Sequence, residues 1–367
     1  MQKQLLLSNK LKDININISY ANDIAYPNLQ YGYNHYIFKS ILDNEPIIKK
    51  FKEKIYMITE PFYVIAQPVE GDEINFKSII EQTNDFFKKK DSKYPNITDY
   101  SSCAIIEMIK EFNLIASKEA ITTMHIIDDK ESEFVKSIIG LRLGMNKSDN
   151  YIIISESKII KNDFDEIYSS KMKYNVIEPA DLITTEINTI HPLAALTEQK
   201  TISIILKSLV QIFHSQKNNG TLILKLYETY TKPIIHMIEF LKTIYEEVFF
   251  VKPQTSYKVY YEKYLVCLKF KKNKITSKIL QQFEHMHKSI EENKEFHIFN
   301  AFDNVKLDSE IIENYIHCNE IFDIVKFEGM NNIMSFLNLD NYNGYEYREM
   351  LNQQKISSEE WGLKYLS

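Results

Sequence analysis

Cysteine is scarce in this chain of 367 residues: Cys103, Cys267 and Cys318 are the whole set, with no C-x-x-C pair and no Cys/His spacing suited to a metal. A disulfide framework and a structural zinc site are excluded, and a reducing compartment is expected. Glycine is nearly as scarce, at 8 residues, and none lies between Gly71 and Gly140. No glycine-rich phosphate loop can be built there, and no Walker loop, G-x-S-x-G or H-E-x-x-H occurs anywhere. His35, His191, His214 and His236 have no partner spacing that suggests a metal or a triad, and His125 reads as a core residue. Long apolar runs are also missing. The opening MQKQLLLSNKLKDININ holds only a three-leucine run, too short for a signal peptide, and no later stretch reaches the roughly 18 apolar residues of a membrane span. The expectation is a soluble, cytoplasmic protein with no membrane contact. Basic residues are not in excess either. With 44 Lys and Arg against 50 Asp and Glu the net charge is -6, which excludes a broad basic face for sequence-independent nucleic-acid binding and leaves a local groove open.

What is present is ordinary globular material, 44% apolar and 26% charged. The length suits one large domain with extensions, or two domains. Residues 1–98 mix apolar runs such as Ile55 to Ile58 and Phe62 to Ala66 with turn signals at Pro61, Pro68 and Gly71-Asp72. They read as an α+β extension ending in the solvated Lys88-Lys89-Lys90 run. Residues 99–275 alternate between helix and strand. Helical spacing from Ser102 to Ile115 is followed by a buried strand at Ile121 to Ile127, a helix over about 131–143 and a strand at Tyr151 to Ile154. Strands follow at Tyr174 to Ile177 and Asp181 to Thr185, and then a helix over about 196–213. Next come a turn at Asn218-Asn219-Gly220, a strand at Thr221 to Leu226 and a helix over about 233–245. Strands at Glu247 to Val251 and Tyr264 to Phe270 close the series. Short strands alternating with long helices predict a mostly parallel sheet covered on both faces. The last strand follows its predecessor with no room for a helix, so it must enter antiparallel. Residues 276–367 form a mostly helical extension. The fold class is α/β, a Rossmann-like sheet with an antiparallel last strand and terminal extensions.

Asn219 to Phe270 carries the most specific pattern. A glycine-started strand ends in Lys225, a helix follows, and then come Lys252-Pro253-Gln254-Thr255-Ser256 and Glu262-Lys263-Tyr264-Leu265-Val266-Cys267. These elements, in this order, resemble the cap-type FtsJ RNA ribose 2'-O-methyltransferases, with their K-P-x-(S/T)-S and E-R-Y-V-V-C segments. Family members take the proton from a ribose hydroxyl with a Lys-Asp-Lys-Glu set during attack on S-adenosylmethionine. The resemblance assigns the second lysine to Lys225 and the glutamate to Glu262. The aspartate ends the fourth strand, where Asp181-Leu-Ile-Thr-Thr-Glu186 offers Glu186 instead.

Two departures cut against activity. The segment Ser102 to Ile115 follows the family's lysine-bearing helix closely and places Ala104 at the lysine, and alanine moves no proton. The family's glycine-rich donor loop is replaced by Asp128-Asp-Lys-Glu-Ser-Glu-Phe134, where Asp128 and Asp129 mark the degenerate donor position and Glu156 the place of a ribose-binding acid. Tyr257, Tyr260 and Tyr261 stand beside the glutamate and alter the RNA groove or pack against an extension. The resemblance therefore implies a degenerate member that takes no cofactor and acts as a subunit of an mRNA-capping, transcription or RNA-processing assembly. Its extensions would contact a protein partner, with RNA a further candidate. Two alternatives stay open: an active S-adenosylmethionine-dependent enzyme drawing a lysine from Lys39 or Lys110, and a structural ribosome or virion component. Scarce glycine beside abundant Ile, Lys, Asn and Tyr suits an AT-rich genome, such as that of a large DNA virus or a protist.

Overall fold

The structure is a computed structural model that describes residues 1–6, 15–21, 75–127, 133–155, 169–187, 194–227, 231–256, 262–303, 309–339 and 344–367, with positions 229, 258, 305 and 307. The chain opens with strands β1 (Gln2–Leu5) and β2 (Asn15–Ala21) and helices α1 (Phe76–Lys90) and α2 (Ser101–Glu111). The alternating part runs through β3 (Thr122–Ile127), α3 (Glu133–Arg142), β4 (Asn150–Ser155), β5 (Met172–Tyr174), β6 (Ala180–Glu186), α4 (Ala194–Ser215), β7 (Gln216–Leu226), α5 (Lys232–Ile244), β8 (Tyr245–Lys252) and β9 (Lys263–Phe270). Helix α6 (Ser277–Glu292), strand β10 (His297–Asp303) and helices α7 (Ser309–Leu339) and α8 (Tyr345–Tyr365) follow.

Eight strands form one sheet in the order β1-β8-β9-β7-β6-β3-β4-β5, and β10 pairs separately with β2. Strands β5, β4, β3, β6 and β7 are mutually parallel, with α3 crossing from β3 to β4 and α4 from β6 to β7. Strand β9 slots antiparallel between β7 and β8, because the link from β8 is too short for a crossover. This is the Rossmann-like plan expected from the alternation. One feature had no local signal: Gln2 to Leu5 adds an antiparallel edge strand against β8, Gln2 opposite Lys252.

Side chains alternate across the pleat and divide the core in two. Met124, Ile152, Ile183, Leu224, Phe250 and Leu265 pack beneath α4, α5 and α6. Ile127, Ile153, Leu182, Ile223, Val251 and Val266 pack beneath α1, α2 and α3, together with Trp361 of α8. Each such burial contributes about 1.5–3 kcal/mol. His125 is fully buried within β3, bonded to Thr123 Oγ1 at 2.7 Å and Thr184 Oγ1 at 2.8 Å, so it is a satisfied core residue.

Asparagines in the left-handed region set several boundaries. Asn113 at φ 53 ends α2 four residues before the expected stop at Ile115, and Asn175 at φ 51 ends β5 where a strand to Ile177 was expected. Asn218-Asn219-Gly220 is not a turn between helix and strand, because β7 already begins at Gln216. Asn219 takes φ 62 inside the strand, and the pairing with β6 shifts register between Ala180 and Leu182. A Cβ at Gly220 would lie 2.2 Å from Gln216 Nε2 and 3.0 Å from Asp181 O. The glycine therefore marks an irregular strand with close backbone approach.

Candidate functional site

The carboxyl ends of β6 and β7 and the entry to β9 bring three charged side chains to one place. Glu186 is the last residue of β6, Lys225 the penultimate residue of β7, and Glu262 immediately precedes β9. Register explains their proximity. Lys225 lies opposite Tyr264 of β9, and its backbone N–H donates to Thr185 Oγ1 of β6 at 3.1 Å. All three are buried, with Lys225 and Glu186 at 3% exposure and Glu262 at 2%. Charges this deep are stable only when paired and hydrogen-bonded.

Lys225 Nζ lies 3.5 Å from Glu262 Oε2. The same oxygen accepts from the Tyr100 hydroxyl at 3.0 Å, and Oε1 accepts from the Tyr264 hydroxyl at 2.5 Å. Lys252 Nζ donates to the Glu262 carbonyl at 2.9 Å. Glu186 accepts two longer bonds, from Ser101 Oγ and from the Phe134 amide at the start of α3, both 3.4 Å. Burial works against charge on Lys225, but the Glu262 carboxylate, Tyr227 and Glu186 outweigh it and hold the ammonium above its usual range. Burial likewise opposes charge on Glu262, yet Lys225, the Tyr264 hydroxyl and Lys252 keep it below the ordinary carboxylate range. Lys252 goes the other way, since burial lowers it to about 8. Tyr100 and Tyr264 are pushed well above 10 by burial and the neighbouring carboxylate.

Ala104 is fully buried on α2, packed into the core on that face of the sheet. One helical turn ahead of it, Tyr100 sends its hydroxyl to Glu262. Lys110, weighed as a substitute lysine, instead reaches Ser367 O at 3.2 Å on the exterior of α2. Asp128, Asp129, Glu156, Lys39, Tyr257, Tyr260 and Tyr261 lie outside the described residues. Glu133, at the start of α3, is bound by Ser102 Oγ at 2.7 Å and Lys136 Nζ at 2.6 Å. Among the described residues no group of three or more His, Cys, Asp and Glu could hold a metal ion.

Three participants escaped the sequence reading: Tyr100, the hydroxyl of Tyr264, and Glu107. Glu107 is fully buried on α2 and accepts from Gln254 N at 2.8 Å, Thr255 N at 2.7 Å and Thr255 Oγ1 at 2.5 Å. It thereby holds the Lys-Pro-Gln-Thr-Ser segment against the helix. Its signal in the sequence was a carboxylate within the apolar run Ile105-Ile-Glu-Met-Ile109, where only a specific set of donors can make burial tolerable.

Part of the chain around this cluster is similar to a known family. Residues 113–270 match the FtsJ-like methyltransferases. That stretch, less than half of the chain, is similar to this family. The match begins just after α2, so the helix that holds Ala104 lies ahead of it. Among solved structures, the chain is similar to a ribosomal RNA methyltransferase of Plasmodium falciparum, with 14% identity, 48% of this chain and 99% of the other covered, and a TM-score of 0.36. Aeropyrum pernix fibrillarin with bound S-adenosyl-L-methionine shows 7% identity over 46% of this chain and 75% of the other, with a TM-score of 0.31. No curated protein sequence matches the chain. Among the described residues no helix is long and apolar enough to cross a membrane.

Proposed function

We propose that the FtsJ-like domain is a degenerate ribose 2'-O-methyltransferase whose catalytic centre has become a closed structural cluster. On this reading the protein acts as a non-catalytic subunit of an mRNA-capping, transcription or RNA-processing assembly. The observation that carries it is the state of Glu262 and Lys225. Both carboxylate oxygens of Glu262 are occupied by Tyr100, Tyr264 and Lys225, and the Lys225 ammonium is held protonated by its neighbours. A base that takes a proton from a hydroxyl must first give up its own. Ala104 supplies no second amine, and a tyrosine hydroxyl with a raised pKa is no substitute at neutral pH.

The residues present do not fit the methyl donor. Its carboxylate would need free N–H groups at the start of α3, and the Phe134 amide already points at Glu186. Glu186, which takes that amide, also sets a carboxylate beside that position. No catalytic step is derived through the donor. The composition accords with a viral source. The extensions supply contact area for a protein partner: α8 exposes Tyr345 and Leu363, each 77% accessible, along with Ile356. A structural role in a ribosome or virion would use the same surface.

A second reading, an active S-adenosylmethionine-dependent RNA methyltransferase, draws on the convergence of Glu186, Lys225 and Glu262 and on the lowered Lys252 beside them. Calorimetric titration with S-adenosylmethionine and sinefungin separates the two. The degenerate centre should bind neither at millimolar ligand. Saturable binding tighter than about 100 μM, worth roughly 5–6 kcal/mol, would make the active enzyme the better reading.

A further inference from the structure

Glu107 has one more partner than the site requires. Besides Gln254 and Thr255, its Oε1 accepts from the indole Nε1–H of Trp361 at 3.0 Å, and Trp361 belongs to α8 at the far end of the chain. One buried carboxylate thus ties the last helix to the segment that leads from β8 towards Glu262. Contacts with α1 set the register of α8. Ser358 Oγ accepts from Asn75 N at the start of α1 at 2.8 Å. At Gly362 a Cβ would meet Gln82 Oε1 of α1 at 2.1 Å, so α8 lies close against the Gln82 side chain. Trp361 itself is 2% exposed.

The opposite face of the sheet shows a second grip near the same segment. Asn319 Oδ1 of α7 accepts from Lys263 Nζ at 3.0 Å and from Thr229 Oγ1 at 2.8 Å, and Asn319 Nδ2 donates to Thr229 O at 3.3 Å. The Lys263 ammonium lies 5.5 Å from the Phe250 ring centroid and 5.4 Å from that of Phe322 on α7. Lys263 directly follows Glu262, and Thr229 comes shortly after Lys225. Helix α7 therefore holds the chain just beyond each member of the buried ion pair, while α8 holds the segment that precedes one of them.

We propose that α7 and α8 form a two-point clamp on residues 253–256 and 263, so that the geometry of the Lys225–Glu262 pair depends on the docking of the C-terminal helices. Any partner that draws α8 off α1 and α2 would strip the Trp361 donor from Glu107 and loosen the segment that carries Glu262. Glu107 and Trp361 are positioning residues in this scheme and touch no reacting group. The inference rests on the reading of the Lys225–Glu262 cluster as the centre of the domain, and it holds whether or not that centre is catalytic.

Hydrogen–deuterium exchange on the full chain tests it. Trp361→Phe keeps the ring's packing and removes the N–H. Exchange should quicken in α8 and also, by about tenfold, at the amides of residues 254–256, because a lost hydrogen bond to a charged group is worth about that factor. Strands β3 and β6 should be unchanged. Asn319→Ala should quicken exchange at Lys263 in the same way. Acceleration confined to α8 in Trp361→Phe would overturn the clamp. Should that variant fail to fold, Ser358→Ala removes the acceptor of Asn75 N and loosens α8 from α1 without touching Glu107, and residues 254–256 must again respond or the clamp is refuted. Donor titration reports separately, since binding of S-adenosylmethionine would overturn the degenerate reading and leave the exchange result standing.

Discussion

Replacing Lys225 with methionine keeps most of the side chain's length and apolar stem while removing its charge, which leaves Glu262 to face a dry interior with two tyrosine hydroxyls. The side chains of Lys225 and Glu262 are 4% and 3% exposed and 3.5 Å apart. At an effective dielectric of about 20 their attraction is about 5 kcal/mol, and breaking one side of a buried pair costs about 3–5 kcal/mol. Tyr100 and Tyr264 remain as donors, so the lower part of that range, about 3 kcal/mol, is expected at pH 7. Lys225→Met with Glu262→Gln removes both charges, and the double variant should cost about 2–3 kcal/mol less than the sum of the singles. The pH dependence has a definite sign. The folded pKa of Glu262 lies below its unfolded value, so its contribution is present above about pH 4.3 and is lost as pH falls through the folded pKa. Freed of Lys225, the carboxyl protonates more readily, and the deficit of the single variant should shrink in acid. Urea unfolding followed by circular dichroism, with m-values compared across the set, reads all of this. A Lys225→Met protein within about 0.5 kcal/mol of wild type, the ordinary range for an uninvolved surface position, would refute a structural role for the pair.

Two further outcomes are expected. The folded-state pKa values of His125 and His236 are lowered by burial to about 3 and about 4, whereas an unfolded histidine titrates near 6.5. The unfolded chain therefore binds protons first, and stability falls between about pH 6.5 and 4, by about 2–3 kcal/mol per histidine at pH 4.5. Glu107, raised by burial, contributes with the opposite sign. The melting temperature followed from pH 7 to 4.5 should drop less steeply in His125→Asn. On the proposed reading Ala104→Lys should yield no RNA methylation with radiolabelled S-adenosylmethionine, because no glycine follows β3 before Gly140. It should also lower stability by several kcal/mol, since the position is fully buried. Methyl transfer by that single variant would restore the active reading.

The sheet was legible because its signals are local. Apolar runs of strand length alternate with helical spacing, and the short link before Tyr264 dictates the antiparallel insertion. The edge strand at Gln2 to Leu5 was not legible, since four residues of mixed character become a strand only by pairing with β8. The irregular start of β7 was misread for a related reason: Asn-Asn-Gly signals a turn equally well when it sits inside a strand. At the site, Glu186, Lys225 and Glu262 were reachable through the family resemblance, which aligns each with a strand end. Tyr100, Glu107 and Trp361 were not. Their bonds join residues 162, 148 and 254 positions apart, and no window along the chain contains both partners.

On the proposed degenerate reading, burial also accounts for charges that stay without chemistry. Lys225 and Glu262 each pay for the other's desolvation, so losing either one alone is strongly unfavourable, and the pair can disappear only by two changes at once. The position of Ala104 is under no such constraint. It faces the apolar packing between α2 and the sheet, and alanine is the best helix former available there. A lysine at that position could be given up cheaply, provided that another group then satisfied Glu262. Tyr100 does so from one turn away, with its hydroxyl 3.0 Å from Oε2. The aromatic ring brings apolar surface that a lysine lacks, packing at a tilt with its centroid 5.8 Å from that of Phe76 at the start of α1. On the proposed degenerate reading, alanine and tyrosine in place of an amine give a better-packed interior, and the ion pair stays because the fold cannot release half of it.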